Sequence, residues 1–131
     1  MKFLLDTSVW LWSISEPKRL SREAYDAFAD PVNELFLSVA SAWEIAIKWN
    51  SGKLRLPEPP SSYVPRIMTL QGIRPLAISA PHALGVSVLR PIHRDPFDRL
   101  LAAQANLEDM TLMSSDRIFE RYSVKLLWAG R

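Results

Sequence analysis

The segment KFLLDTSVWLW, residues 2–12, is apolar almost throughout, yet one carboxylate, Asp6, interrupts it together with two hydroxyl residues. A charged group in such a stretch is costly unless it is paired, hydrogen-bonded or bound to a metal. Lys2–Leu5 is short and apolar, as buried parallel strands are, and a helix is predicted over Ser8–Ser15. Asp6 is therefore predicted at a strand-to-helix junction, where something must stabilise its charge.

Working outward from this segment, apolar strands alternate with amphipathic helices along the whole chain. Further strands are predicted at Leu35–Val39, Pro75–Ser79, Thr111–Ser114 and Val124–Trp128. Helices are predicted after the cap Ser21, from Ser41 to Asn50, and over Ser62–Gln71, Ala80–Val88, Pro96–Leu107 and Asp116–Arg121. Strands that alternate with helices form a parallel sheet with helices on both faces. We therefore predict an α/β fold, a three-layer α/β/α sandwich around a mostly parallel sheet of four to five strands.

The composition limits the classes of protein that fit. A chain of 131 residues, with 48% hydrophobic and 23% charged residues, predicts a single domain over residues 1–131. The absence of cysteine excludes thiolate metal sites and thiol chemistry. No apolar run approaches the roughly 20 residues that cross a bilayer, and no signal peptide is seen, so a cytoplasmic protein without membrane contact is expected. The net charge is only +2 and the sequence pI is about 9.2, which together give weak support for a nucleic-acid partner.

Four acids occupy the same kind of position. Asp6 and Asp116 each follow a predicted strand, Glu44 lies one turn into the helix after Leu35–Val39, and Asp98 lies in the first turn of the helix that Asp95-Pro96 opens. In a parallel sheet every strand-to-helix junction falls on one edge, and ligands bind outside that edge. The four carboxylates are therefore predicted to converge on one cavity.

Four crowded carboxylates repel one another, and a hard divalent cation resolves that repulsion. Mg²⁺ and Mn²⁺ prefer oxygen ligands and commonly use a few carboxylates together with substrate phosphates. An ion held in this way can deliver hydroxide and neutralise the charge that grows on a phosphodiester. The pattern therefore favours metal-dependent phosphodiester hydrolysis.

Each acid also has a purely structural interpretation, because acids near helix N-termini cap free N–H groups. Glu44 fits a capping box with Ser41 and an i,i+4 pair with Lys48. Asp116 can cap the helix that follows it, and Asp98 can act as a partner of the helix dipole. Asp95 rivals Asp98, and we interpret Asp95 as the helix cap and Asp98 as the side chain that enters the cavity.

Four segments resemble the motif blocks of the PIN domain family, and more closely those of VapC-type toxins of type II toxin–antitoxin pairs. They are LLDTSVWLW, SAWEIAIKWNSGKLRLP, HRDPFDRLLAAQA and LMSSD, and they occur in the order of that family. The resemblance implies a PIN-like nuclease domain over residues 1–131. It also implies an endoribonuclease that cleaves RNA phosphodiester bonds with a metal-activated water, leaving 5′-phosphate and 3′-hydroxyl ends.

By the same resemblance, the catalytic residues are Asp6, Glu44, Asp98 and Asp116, and the ligands of Mg²⁺ or Mn²⁺ are Asp6, Asp98 and Asp116. Thr7 or Ser8 matches the small hydroxyl residue after the first acid, and Ser114 stands where relatives often carry Thr. The resemblance further implies a homodimer. It also implies a cognate antitoxin that covers a hydrophobic groove beside the site and places an Arg or Lys among the acids.

Other residues have two open interpretations. His93 is either a solvated loop residue or an RNA contact or acid, and His82 has no chemical context. Six basic residues form either a rim around the acids or ordinary solvated faces: Arg90, Arg94, Arg99, Lys48, Lys53 and Arg55. Five tryptophans supply either packing, which we favour, or a stacking platform for bases: Trp10, Trp12, Trp43, Trp49 and Trp128.

Competing functions remain. A haloacid-dehalogenase-type phosphatase requires a second Asp two residues after the first, where this chain has Ser8. A receiver-type signalling domain requires a Lys after a late strand, where this chain has Asp116. The remaining alternatives are a PIN-like RNA-processing nuclease outside toxin–antitoxin systems and a non-catalytic PIN-like binding module.

Overall fold

The computed structural model describes residues 1–92 and 94–131. Its strands are β1 (Lys2–Leu5), β2 (Glu34–Ser38), β3 (Arg74–Leu76), β4 (Thr111–Ser114) and β5 (Leu126–Trp128). They form one sheet in the order β3-β2-β1-β4-β5, and each neighbouring pair is parallel. The predicted α/β sandwich with a parallel central sheet is confirmed.

The helices are α1 (Thr7–Ser15), α2 (Arg22–Ala29), α3 (Val39–Asn50), α4 (Pro60–Gln71), α5 (Ala80–Gly85) and α6 (Pro96–Leu107). Short 3₁₀ turns lie at Pro17–Arg19, Val86–Val88 and Arg117–Arg121. The predicted cap Ser21 accepts a hydrogen bond from the Ala24 amide. Gly72 ends α4 with a φ of 69°, a left-handed conformation that glycine adopts without strain.

Several predicted boundaries are wrong, and the largest correction concerns α3. This helix starts at Val39, because the Ser38 hydroxyl accepts a hydrogen bond from the Ala40 amide and caps it. Strand β2 therefore ends at Ser38, and Ser41 lies inside the helix rather than at its start. The predicted strand Pro75–Ser79 is Arg74–Leu76, and the predicted helix Ala80–Val88 is helical only to Gly85 before it tightens into a 3₁₀ turn.

The sheet separates two apolar cores, because alternate strand residues point to opposite faces. Phe3 and Leu5 belong to the core on one face, and Leu4 belongs to the core on the other. Strands β1 and β4 are neighbours although more than 100 residues separate them, and the strand order reverses between them. Such a reversal opens a crevice at the carboxyl edge of the sheet, which is where Asp6 lies.

Across the two described stretches of chain, every helix is too short or too polar to serve as a bilayer span.

Candidate active site

A cavity of about 440 Å³ opens at the carboxyl edge of β1 and β4. All four predicted acids line it, although they come from four distant parts of the chain. The full lining is Asp6, Thr7, Ser8, Leu11, Glu44, Ile45, Lys48, Leu54, Asp95, Asp98, Ser115, Asp116 and Arg117. The fold thus brings together what the sequence predicted would converge.

Asp6 lies between the end of β1 and the start of α1 and is only 8% exposed. Its Oδ1 accepts a hydrogen bond from the Thr7 amide at 2.8 Å, and its Oδ2 accepts one from the Ser114 hydroxyl at 2.7 Å. The Ser114 oxygen in turn accepts a hydrogen bond from the Asp116 amide at 3.0 Å. Ser114 therefore links the first acid to the segment that carries the fourth.

Glu44 lies on α3, and its Oε2 pairs with Lys48 Nζ at 3.1 Å, as the i,i+4 interpretation predicted. The capping-box interpretation with Ser41 is wrong, because Ser38 caps this helix. The buried Ser41 hydroxyl instead accepts a hydrogen bond from the Thr7 hydroxyl at 2.8 Å. This contact ties the start of α1, beside Asp6, to the helix that carries Glu44. Sequence analysis missed it, because the two residues are 34 positions apart.

Asp95 caps α6, and its Oδ1 accepts hydrogen bonds from the amides of Phe97 and Asp98 at 2.9 and 3.3 Å. The predicted cap is therefore present at Asp95, but both Asp95 and Asp98 line the cavity. Asp116 also acts as a cap, since its carboxylate accepts a hydrogen bond from the Ile118 amide at 3.0 Å. The structural and cavity-lining interpretations of Asp116 therefore both hold.

The electrostatics of the cavity reflect burial and like charge. Burial, more than any other cause, raises the pKa of Asp6 to about 6 against the hydrogen bonds from Ser114 and Thr7, and Glu44 and Asp116 raise it further. Burial also raises the pKa of Asp98 to about 8, followed by the charges of Asp6, Asp95, Asp116 and Glu44. The carboxylates thus repel one another, and a cation bound among them would offset this repulsion.

The donor set fits a hard divalent ion, because it consists of carboxylate and hydroxyl oxygens in a partly buried cavity. Within residues 1–92 and 94–131, no three His, Asp or Glu side chains already stand in the geometry of a closed ion site. Binding of an ion would therefore require the acid side chains to draw closer together. The observation that supports this fit is the convergence of five carboxylates on one cavity: Asp6, Glu44, Asp95, Asp98 and Asp116.

Two cations also line the cavity, Lys48 and Arg117. Lys48 was predicted as part of a basic rim, whereas Arg117 was missed, although it directly follows Asp116. Arg99 does not join the rim, because its guanidinium donates to the carbonyls of Arg90 and Val86 at 3.0 and 3.1 Å. The predicted basic rim is thus only partly present. Lys48 lines the cavity, Arg99 does not, and Arg117 supplies a cation that was not predicted.

A second polar cluster, the Gln104 cluster, was not predicted. Gln104 is completely buried, and its Oε1 accepts a hydrogen bond from the Ser38 hydroxyl at 2.5 Å. Its Nε2 lies 3.3 Å from both the Ala77 carbonyl and His82 Nδ1. The buried His82 also accepts from the Ser79 amide through Nδ1 and bonds Glu108 Oε2 through Nε2 at 2.8 Å. His82 therefore has a structural context, which only the fold reveals, whereas the interpretation of His93 concerns a residue outside the described part of the chain.

The tryptophans divide between packing and exposure. Trp10 is fully buried and donates a hydrogen bond from Nε1 to Gln71 Oε1. Trp43 is 60% exposed, and its ring makes an edge-to-face contact with Phe97 at 5.4 Å. Trp12 and Trp128 each carry an arginine guanidinium above the ring. Core packing therefore explains Trp10 and does not explain Trp43.

An apolar groove of about 410 Å³ adjoins the acid cavity, and the two share Leu11 and Leu54. The groove runs between the end of α1 and the proline-rich segment before α4. Its lining is Leu11, Trp12, Ile14, Ser15, Glu16, Leu54, Arg55, Leu56, Pro57 and Tyr63. We call this surface, which adjoins the acid cavity, the apolar groove.

The fold, the cavity and the motif blocks together define the class of the protein. The profile of the PIN domain family matches residues 3–125, and the chain belongs to that family. The family predicted from the four motif blocks is thereby confirmed.

Individual relatives agree with this assignment. The chain is 45% identical over 73 residues to Ribonuclease VapC16 of Mycobacterium tuberculosis, an alignment that spans 50% of this chain and 52% of that protein. The chain therefore matches about half the length of this curated relative.

Solved structures agree in fold. VapBC2 from Rickettsia felis, bound to a DNA fragment from its promoter, is similar with a TM-score of 0.73 at 18% identity, over 98% of this chain and 99% of that one. FitAcB from Neisseria gonorrhoeae is similar with a TM-score of 0.63 at 24% identity, over 95% and 96% of the two chains.

Proposed function

We propose that the protein is a Mg²⁺- or Mn²⁺-dependent endoribonuclease and the toxin component of a toxin–antitoxin pair. The observation that carries this proposal is the convergence of Asp6, Glu44, Asp98 and Asp116 on one cavity at the point where the strand order reverses. Membership of the PIN domain family and similarity to a protein named as a ribonuclease support it. A phosphatase or receiver chemistry lacks the residues it requires.

In this proposal Asp6, Asp98 and Asp116 hold the ion, and Glu44 serves as a further ligand or as the base that orients the attacking water. When bound, such an ion supplies Lewis acidity towards water and phosphate oxygens. Ser114 fixes the Asp6 carboxylate, and the contact between Thr7 and Ser41 fixes α3, and thus Glu44, relative to Asp6. The protein therefore contributes mainly position and charge.

The direct test is cleavage of single-stranded RNA with Mg²⁺ or Mn²⁺ and with EDTA. Asp6→Asn and Asp98→Asn should abolish the metal-dependent cleavage, because each removes a carboxylate from the cavity. Asp109→Asn is the matched control, since Asp109 is exposed, lies between α6 and β4, and has a φ of 54° that Asn tolerates. Undiminished cleavage by Asp6→Asn or Asp98→Asn would contradict the proposed roles.

The same proposal includes a cognate antitoxin, and the apolar groove is the surface that suits it. A segment with apolar side chains can fill the groove beside Leu11 and Leu54 while a following Arg or Lys reaches the acids. We expect Leu54→Asp to release the antitoxin in a pull-down and to leave the purified protein folded by circular dichroism. Retention of the antitoxin by that variant would place its binding surface elsewhere.

A homodimer is also proposed, and α3 provides an exposed apolar stripe for it. Val39, Trp43 and Ile47 recur every four residues on that helix and are 43%, 60% and 44% exposed. Light scattering should report a dimer for the wild type and a monomer for Trp43→Asp. An unchanged dimer would assign the contact to another face.

Two experiments separate the remaining alternatives. A non-catalytic binding module should show no Mn²⁺ binding by titration calorimetry, whereas the proposed nuclease should bind Mn²⁺ in a manner that Asp98→Asn weakens. A nuclease outside toxin–antitoxin systems should not arrest growth on induction. The proposed toxin should arrest growth, and the product of a neighbouring gene should relieve the arrest.

A further inference from the structure

One cation of the acid cavity, Arg117, lies against an aromatic ring. This residue lines the cavity, and its guanidinium lies 4.7 Å from the centre of the Trp128 ring at the end of β5. Arg117 Nη1 also donates to Glu120 Oε1 at 3.2 Å, in an exposed pair. A cation is thus fixed on an aromatic platform at the rim of the cavity.

The C-terminal segment links this cavity to a second depression, which shares no lining residue with it. Ser115 lines the acid cavity, and a Cβ on Gly130 would lie only 3.1 Å from the Ser115 Cβ. The next residue, Arg131, lines a depression of about 340 Å³. The absence of a side chain at Gly130 therefore lets the C-terminal segment lie close against Ser115 before Arg131 reaches the second depression.

The second depression is basic and carries an aromatic ring. Its lining is Pro17, Lys18, Leu20, Arg22, Tyr25 and Arg131, so no Asp or Glu side chain lines it among the described residues. Tyr25 is 54% exposed. We call the surface made by Arg117, Arg131, Lys18 and Arg22 the basic flank.

Two of these cations are positioned by contacts with the backbone or a neighbour. Arg131 Nε donates to the Leu20 carbonyl at 3.1 Å, and the Arg131 amide donates to the Arg19 carbonyl at 3.2 Å. The terminal nitrogens of the guanidinium can then serve another acceptor. Arg22 pairs with Asp26, but both side chains are exposed, and such a pair exchanges for another anion at small cost.

We propose that the basic flank binds the phosphates of the single-stranded RNA that leads to the acid cavity, an inference that rests on the proposed ribonuclease function. A cavity lined by five carboxylates repels a polyanion, so the strand must be held by cations beside it. Cations beside an exposed aromatic ring, here Tyr25, suit single-stranded nucleic acid, because phosphates bind the cations and a base stacks on the ring. The apolar groove has the opposite character and suits a protein segment.

The test removes three charges and measures RNA binding. The flank variant carries Lys18→Gln, Arg22→Gln and Arg131→Gln, all in an Asp98→Asn background that prevents cleavage. The control variant carries Arg66→Gln, Arg74→Gln and Lys125→Gln in the same background. These three control residues are exposed cations on α4, β3 and the segment before β5, so both variants lose the same charge.

Fluorescence anisotropy with a labelled oligoribonucleotide of a dozen residues then reports the dissociation constant at several salt concentrations. The flank variant should bind about tenfold or more weakly, and its slope of log affinity against log salt should be smaller by about 2, since each lost phosphate contact on a single strand removes roughly 0.7. The control variant should stay within about twofold of the parent. Circular dichroism melts establish that both variants are folded.

Two outcomes overturn the inference and remain distinct from failure of the proposed function. If the flank variant binds RNA as tightly as the control and with the same salt slope, RNA does not use this surface. If it instead loses an acidic protein partner while RNA binding is unchanged, the occupant is a protein. Failure of the ribonuclease proposal would show separately, as wild-type protein that cleaves no RNA with Mg²⁺ or Mn²⁺.

Discussion

The protein contains two polar clusters inside an apolar fold, and they differ in how their polar groups are paired. The acid cavity brings five carboxylates together and opens them to solvent: Asp6, Glu44, Asp95, Asp98 and Asp116. The Gln104 cluster joins Ser38, His82 and the Ala77 carbonyl through hydrogen bonds in which donors meet acceptors. One cluster concentrates like charge, and the other matches donors with acceptors.

The difference separates a ligand-binding site from a purely structural network. We call the Gln104 cluster the strut because it connects two helices. Like charges that are buried together destabilise the fold unless a ligand arrives, so they persist where a ligand is used. A network in which each donor meets an acceptor needs no ligand, and it fixes the helices that it joins. Here it joins α6, which carries Asp98, to the start of α3, which carries Glu44. The strut therefore helps to hold two walls of the site.

The largest effect is expected at the acid cavity. Asp98→Asn should lower RNA cleavage by about a thousandfold, on the scale of the several kcal/mol that metal charge stabilisation supplies. The same change should leave the metal-free protein at least as stable at pH 7, because it removes a carboxylate that burial and its neighbours disfavour. Single-turnover cleavage and denaturant unfolding measure the two quantities. A loss of both activity and stability would place Asp98 in the strut rather than in the site.

The opposite pattern is expected at the strut. Gln104→Leu should lower the free energy of unfolding by about 2–3 kcal/mol, because the Ser38 hydroxyl and the Ala77 carbonyl lose their partner in the interior. Asn106→Leu on the exposed face of the same helix should change it by less than about 0.5 kcal/mol. Urea unfolding provides the measurement. A stability loss equal to that of the Asn106 control would show that the network contributes nothing.

The pH dependence of stability sharpens the comparison further. The pKa of Asp98 is about 8 in the metal-free fold against an ordinary value of 3.8, so the folded state binds more protons than the unfolded state between these values. Its contribution to stability is complete below pH 4 and is lost as the pH rises towards 8; Asp6, with a pKa of about 6, acts in the same direction. The melting temperature in EDTA should therefore fall from pH 5 to pH 8. Asp98→Asn should flatten this slope, and an equally steep slope in that variant would assign it to other groups.

The smallest effect is expected where the strut reaches solvent. Glu108 is the partially exposed partner of His82, and Glu108→Gln keeps an acceptor for His82 Nε2–H. The free energy of unfolding should change by less than about 1 kcal/mol, because the Gln amide oxygen keeps the hydrogen bond and this end of the network reaches solvent. A loss comparable to that of Gln104→Leu would show that the charge of Glu108, rather than the hydrogen bond, sustains the network.

Much of the fold was accessible from the sequence because its determinants are local. The apolar run of β1, the capped start of α6 at Asp95-Pro96 and the glycine after α4 each act within a few residues. Boundaries failed where a competing local partner acted, as at Ser38, whose hydroxyl starts α3 three residues before the predicted cap.

The sequence by itself determined the order of strands and helices and the identity of four acids at junctions that a parallel sheet places on one edge. Only the tertiary structure decided which further groups share that edge: the bond between Thr7 and Ser41, the Arg117 wall, and the Gln104 strut. These depend on contacts between residues that are distant in the chain. Periodicity and capping describe what a residue does to its neighbours within a turn or two, and they carry no information about which side chain meets it across a helix interface.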